Sequence, residues 1–250
     1  MLKISEMKKI LSYPLSVLAY LWFMFFICLF HPIQWICYNI LGYHAHKKSV
    51  DWLSFFTTHT LLFLFSKANI ENKELIPEGQ PLIFVANHQG VFDIVAMGWL
   101  LRKFHIKYVS KIELGKGIPS ISYNLNHGGS VLIDRKDPKQ ALPALKKMGE
   151  YIESTHRSVV IYPEGTRTRD GKPKPFAASG LKILCKYAPS AYVVPITINN
   201  SWKIFKHGSF PLVIGNKVTF SVHQPIKVSE FDFNTLFERT EKVIIDRITD

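Results

Sequence analysis

A chain of 250 residues has room for one substantial α/β domain with an appendage, but not for two ordinary enzyme domains. Its formal charge of +12 favours polyanionic partners, yet no zinc-finger spacing, aromatic RNA-binding signature or recognition-helix pattern accompanies that charge, so nucleic acid is not an expected partner. Three cysteines, Cys28, Cys37 and Cys185, make no CxxC pair, which argues against a disulfide framework or zinc site and for a reducing compartment.

Residues 1–66 are far more apolar than the rest. Residues 10–46 contain no Asp, Glu, Lys or Arg, and residues 13–30 read YPLSVLAYLWFMFFICLF, close to the roughly 20 residues that cross a bilayer. A second run, residues 52–65, is shorter and carries Thr57, Thr58, His59 and Thr60 at its middle. Lys3, Lys8 and Lys9 precede the first run, but no small-residue cleavage site follows Phe30, so the segment is expected to be retained. A single crossing would put those lysines and the basic main domain on opposite sides, against the positive-inside rule. The expectation is therefore a two-helix membrane anchor, residues 8–40 and 50–66, that dips into one leaflet or forms a shallow hairpin on the cytoplasmic face of the cell membrane. At such a surface each nearby Lys or Arg adds about 1 kcal/mol with anionic lipid. A pair of buried core helices is the competing reading.

Residues 67–250 alternate short apolar runs with amphipathic stretches, the pattern of an α/β domain with a central, mostly parallel or mixed sheet flanked by helices. The first predicted strand, PLIFVA (81–86), runs directly into NHQGVFD (87–93). If a helix starts just after His88, one turn brings Asp93 back to it. The carboxylate then fixes the imidazole tautomer and leaves the other ring nitrogen free to take a proton.

Further predicted strands are KYVS (107–110), SVLID (130–134), SVVIYP (158–163), YVVPITI (192–198) and KVTFSVH (217–223). Gly128, Gly129 and Ser130 read as a loop entering a strand rather than as a nucleophile site. Asp137 followed by Pro138 marks a helix start, with Leu142, Leu145, Met148 and Ile152 on its inward face. A shorter helix is expected over 180–187, and a final one capped by Asn234 with Phe237, Val243, Ile244 and Ile248 turned inward.

The strand at 158–163 ends in YPEGTRTRDGKPKPF (162–176). Gly165 permits a tight turn, Arg167 offers a planar fork suited to phosphate, and Glu164 can orient the arginine or a substrate hydroxyl. Arg169, Lys172 and Lys174 strengthen the positive field. A solvated basic loop with a surface ion pair is the plainer reading of this segment alone. Both segments fall where strands end, the place where ligands collect in open α/β sheets. No GxSxG elbow, Walker loop or GxGxxG is present, which leaves a covalent serine or cysteine mechanism without support.

Taken together, NHQGVFD, then KIELGKGIP (111–119) with GGSVLIDR (128–135), then YPEGTR, then VVPIT (193–197) resemble the four motifs of the glycerolipid acyltransferase family typified by 1-acylglycerol-3-phosphate (lysophosphatidic acid) acyltransferases. The resemblance covers residues 70–201. It implies His88 as base and Asp93 as its orienter. It further implies Glu164, Gly165, Thr166 and Arg167 in acceptor binding, with Lys111 and Arg135 as phosphate contacts. It implies transfer of an acyl group from acyl-CoA or acyl carrier protein to the hydroxyl of a lysophospholipid, giving phosphatidic acid, with no metal or other cofactor. Where many members carry Phe-Lys-x-Gly after the third motif, this chain has Phe176, Ala177, Ala178, Ser179 and Gly180, which leaves open a different acceptor such as glycerol 3-phosphate or another lysophospholipid. A non-catalytic lipid-binding protein is the alternative from another class.

Overall fold

The computed structural model describes residues 4–249; Lys3 lies outside them. Three helices lead the chain: α1 (Ile4–Ile36), which runs on through a π-helical turn at Cys37–Leu41, then α2 (Tyr43–Thr58) and the single turn α3 (Thr60–Phe63). The remainder is, in order, β1 (Lys67–Glu71), β2 (Leu82–Ala86), α4 (Val91–Leu100), β3 (Ile106–Lys111), α5 (Ile121–His127), β4 (Val131–Ile133), α6 (Pro138–Thr155), β5 (Ser158–Ile161), α7 (Ala178–Tyr187), β6 (Tyr192–Asn199), β7 (Lys217–Val222), β8 (Ile226–Lys227) and α8 (Phe233–Ile245).

One sheet carries the strand order β1-β7-β6-β2-β5-β3-β4, with β8 beside β6. Every pairing along it is parallel except β6 with β7 and β6 with β8. β2 lies at the centre and is buried on both faces, which is why it is an unbroken apolar run rather than an alternating one. Leu82, Phe84 and Ala86 turn to a core formed with α1, α3 and α4, whereas Ile83 and Val85 turn to a core formed with α6, α7 and α8. Pro195 interrupts no ladder, because it falls between Val193, which pairs with β8, and Ile196, which pairs with β7.

All six predicted strands are present, and two more, β1 and β8, join them. The start of α6 is as expected: Asp137 accepts hydrogen bonds from Lys139 N and Gln140 N at 3.0 and 3.3 Å. Leu142, however, is 43% exposed and sits on the rim of a cleft rather than in the core. The cap of α8 is Asp232, not Asn234, since its carboxylate accepts from Asn234 N and Thr235 N, and Ile248 lies beyond the helix.

The leading helices differ from expectation at their joint. The second helix begins at Tyr43 rather than near residue 50, since Gly42 adopts a positive φ of 83° and the polar residues that follow are helical. Its Ser49, Leu53, Thr57 and Thr58 are buried, and Thr58 donates to Val95 O of α4 at 3.0 Å, so the central threonines belong to a domain contact. Within the described residues one stretch, Glu6–Leu41, is long and apolar enough to cross a membrane. One face of α1 is docked on the domain. Phe26 stacks on Phe56 of α2 with ring centres 4.0 Å apart, Ser16 Oγ accepts from Leu212 N at 2.8 Å, and Tyr20 donates its hydroxyl to Ser209 O. The opposite face bears Leu21, Met24 and Phe25, exposed by 62%, 49% and 58%. A run of large exposed side chains along one helix is a surface that suits lipid.

Candidate active site

The site grows from the carboxyl end of β2. Asn87 ends the strand by bridging to β6, its Nδ2 donating to Ile198 O at 2.8 Å and its Oδ1 accepting from Ile198 N at 2.7 Å. This pins the chain where it leaves the sheet. Three residues later Gly90 opens α4, and no side chain fits there, since a Cβ would stand 2.7 Å from Ser201 Oγ.

Asp93, in the first turn of α4, is fully buried. Its Oδ2 accepts three hydrogen bonds, from His88 Nδ1 at 2.8 Å, Gln89 N at 2.6 Å and Gly90 N at 2.8 Å. One carboxylate oxygen thus caps the helix and orients the imidazole, and the positive end of the helix dipole favours its charge. Since a carboxylate only accepts, His88 carries its proton on Nδ1, and Nε2 keeps a free lone pair. The ring is held from the side by Tyr162, stacked at 4.2 Å between centres. Burial pushes the Tyr162 phenol well above its ordinary range, so it stays neutral; its hydroxyl donates to Met97 Sδ at 3.2 Å.

Glu164 belongs to the same construction. Its Oε1 accepts from His88 N at 2.7 Å and its Oε2 from Lys174 N at 2.9 Å. Burial raises its pKa while these two backbone donors oppose the rise. The carboxylate therefore braces the main chain of His88 and ties down the loop after β5. Thr168 adds a second tie, its N–H donating to His88 O at 2.8 Å.

Of the residues singled out in the sequence, His88, Asp93 and Glu164 are in direct contact. Gly165, with φ of 70°, lies against Arg135, whose Nη1 would be 3.6 Å from a Cβ at that position. Two clefts flank this turn. One, about 460 Å³ and largely apolar, is lined by Arg135, Leu142, Leu145, Tyr162 and Gly165. The other, about 260 Å³, takes Gln89, Thr166, Arg167, Arg169 and Trp202. Lys111, exposed at the end of β3, lines neither. Asn87, Gln89, Tyr162 and Thr168 carry no role legible from sequence, because their partners lie on distant segments; the polar side chains on either side of His88 within NHQGVFD are the only available signal.

An imidazole aligned by a buried carboxylate at the carboxyl edge of a mixed sheet, with arginine-bearing clefts beside it, has the arrangement that a general-base enzyme of the α/β class requires. The chain belongs to the Acyltransferase family, whose model matches residues 67–199. It is 33% identical over 172 residues to the chloroplastic 1-acyl-sn-glycerol-3-phosphate acyltransferase LPAT1 of Arabidopsis thaliana, an alignment covering 68% of this chain and 47% of that one. It is 36% identical over 147 residues to 1-acyl-sn-glycerol-3-phosphate acyltransferase of Helicobacter pylori, covering 57% and 58%. The chain spans about half the length of the plant relatives it matches. The fold is shared with the crystal structure of the 1-acyl-sn-glycerophosphate (LPA) acyltransferase PlsC from Thermotoga maritima, with a TM-score of 0.74 and 23% identity over 92% of this chain and 93% of that one.

Proposed function

We propose that this chain transfers a fatty acyl group from an acyl thioester, carried by CoA or acyl carrier protein, to the free hydroxyl of 1-acylglycerol 3-phosphate, giving phosphatidic acid for phospholipid synthesis. The observation that carries the reading is the 2.8 Å contact of His88 Nδ1 with Asp93 Oδ2, which directs Nε2 outward as a base. The names of the relatives in Arabidopsis thaliana and Helicobacter pylori support the choice of acceptor.

In this scheme His88 Nε2 takes the hydroxyl proton as the oxygen attacks the thioester carbonyl. The C–O bond forms, the tetrahedral intermediate collapses, and the thiolate leaves. No acyl-enzyme is involved. A positioned base contributes roughly 10²-fold to 10⁴-fold, and holding two substrates in register accounts for the rest. Two clefts on either side of the turn at Gly165 and Thr166 suit two substrates. Arg167 and Arg135, one in each, are suited to the phosphates of acceptor and donor.

The exposed apolar face of α1 would seat the enzyme in one leaflet on the cytoplasmic side, where lysophospholipid and long acyl chains reside. A thiol-release assay with acyl-CoA against lysophosphatidate, glycerol 3-phosphate and neutral 1-acylglycerol tests the reading. Release with lysophosphatidate that vanishes in His88→Ala is expected; acceptor-independent release, or release unchanged in that variant, would overturn it. Acceptance of glycerol 3-phosphate in preference is the outcome favoured by a departure at Ala177, Ala178 and Ser179, which places alanine and serine where a lysine is common and lines the apolar cleft with Ala177 and Ser179.

A further inference from the structure

α6 lies across the sheet from α1. It packs with α7 and α8 on the Ile83 and Val85 side of β2, whereas α1 packs on the Leu82, Phe84 and Ala86 side, so the outer face of α6 looks away from the apolar helix face that suits lipid. That outer face is cationic. Lys136, Lys139 and Lys146 are exposed along it, and Arg135 precedes them at the mouth of the apolar cleft. Lys139, Leu142 and Lys146 follow at the i, i+3, i+7 spacing of one helix face, over a rise of about 10 Å. Lys186 of α7 joins them, for its Nζ and that of Lys146 lie 5.5 and 5.2 Å from the centre of the same Tyr187 ring. Acidic neighbours do not cancel this field. Asp137 is engaged in capping α6, Glu150 meets Lys146 at 3.7 Å as a weak surface pair, and α7 contains no Asp or Glu.

Leu142 tells what kind of partner this face fits. Of the described residues after position 66, the exposed large apolar side chains are Leu75, Ile112, Leu142 and Phe210, and Leu142 stands among these cations on the cleft rim. A free nucleotide phosphate needs the cations and has no use for the leucine. An acidic amphipathic helix uses both, setting carboxylates against the lysines and an apolar side chain against Leu142. The cleft behind the rim is apolar and reaches Tyr162, whose ring stacks on His88. Resting on the function proposed above, we infer that the face of α6 bearing Lys136, Lys139, Leu142 and Lys146, with Lys186 beside it, docks an acidic, helical acyl carrier protein, so that a protein rather than free CoA presents the acyl thioester. The carrier stands on the side of the sheet away from α1, and its thioester arm enters the apolar cleft toward His88. The lysines act on encounter and partner choice, and Leu142 gives the contact a dry centre.

The test sets one acyl chain on two donors. Initial rates of the full chain on vesicle-borne lysophosphatidate are compared for acyl carrier protein and acyl-CoA bearing the same acyl group, in the unaltered chain, Lys139→Glu and Lys186→Gln. A glutamate at position 139 falls in the first turn of α6, where negative charge favours the helix, so folding is preserved. The expected result is a KM for the acylated carrier raised about tenfold in Lys139→Glu and by a smaller factor in Lys186→Gln, with the KM for acyl-CoA unchanged in both. The carrier's KM should also climb as salt is added. An equal rise for both donors would overturn the inference by giving these cations to the phosphates of CoA. An unchanged KM for the carrier, or transfer by the unaltered chain from acyl-CoA alone, would overturn it as well. So would loss of vesicle flotation in the variants, which would make this face a membrane surface. Binding of the unacylated carrier to the unaltered chain and to Lys139→Glu, followed by fluorescence anisotropy, reads docking without turnover. Absence of transfer from either donor is the failure of the parent function, and docking then stands or falls on whether the unaltered chain binds the carrier and the variant does not.

Discussion

Asp93 Oδ2 lies 2.8 Å from His88 Nδ1 and 2.8 Å from Gly90 N, so the atom that orients the imidazole is also the atom that closes the first turn of α4. In the proposed mechanism, stability and catalysis meet at that oxygen.

Substitutions in the pair should therefore diverge. His88→Ala is expected to lower kcat by about 10²-fold to 10⁴-fold with less loss of thermal stability than Asp93→Ala, because the imidazole caps no helix. Asp93→Ala should lower activity by a comparable factor and also cost about 0.5–2 kcal/mol through the lost cap. Thermal melts of the two variants beside their kcat values check this; equal stability in both would break the link drawn from Oδ2.

Glu164→Gln separates bracing from ligand contact. A glutamine can accept from His88 N or from Lys174 N through its single carbonyl, so one tie is lost. Activity should fall about tenfold, and limited proteolysis should cut the loop between residues 164 and 176 faster than in the unaltered chain. A variant with normal loop protection and a raised acceptor KM would assign Glu164 to the substrate instead.

Lys107, on β3, is 4% exposed, and burial is the largest cause pulling its ammonium down to about 7, with Lys47 and Arg157 adding repulsion. Below about pH 7 the folded and unfolded chains both carry the charge, and the full burial penalty is present. Between about 7 and the ordinary lysine value of 10.5 the unfolded chain binds more protons, so this group makes stability rise with pH. Lys107→Met should be more stable than the unaltered chain at pH 6, and the advantage should shrink as pH climbs to 9. Chemical denaturation at the two pH values measures it; a constant difference would contradict the shift.

The membrane surface is best probed by side chains, not by truncation, because residues 1–66 include Leu61 and Leu64, which are 1% and 0% exposed in the main core. Leu21→Asp with Phe25→Asp should release the chain from vesicles in flotation while leaving its melting temperature near the original. Turnover on vesicle-borne lysophosphatidate should drop severalfold, and turnover on a short-chain soluble analogue should hold.

Much of this architecture was legible in the sequence. The strands β2, β5 and β6 are buried apolar runs, and such runs announce themselves. β1 does not, for Lys67 and Glu71 are exposed and its middle only half-buried, which is the look of a loop. The turn from His88 to Asp93 was readable because its partners are five residues apart. Gln89 and Ser201, 112 residues apart, meet only once β2 and β6 pair, and Glu164 meets His88 N only once β2 pairs with β5. Periodicity carries no trace of such contacts. The same limit concealed the early start of α2, whose first turns are polar yet packed against the domain.

The loop between β6 and β7 lines the cleft beside Arg167 through Trp202, Phe205 and Ser209, and α1 grips that loop at Ser209 and Leu212. The helix that carries the exposed apolar face is thereby tied to the rim of that cleft. Any displacement of α1 against the domain would be passed through Ser209 and Leu212 to the rim of that cleft.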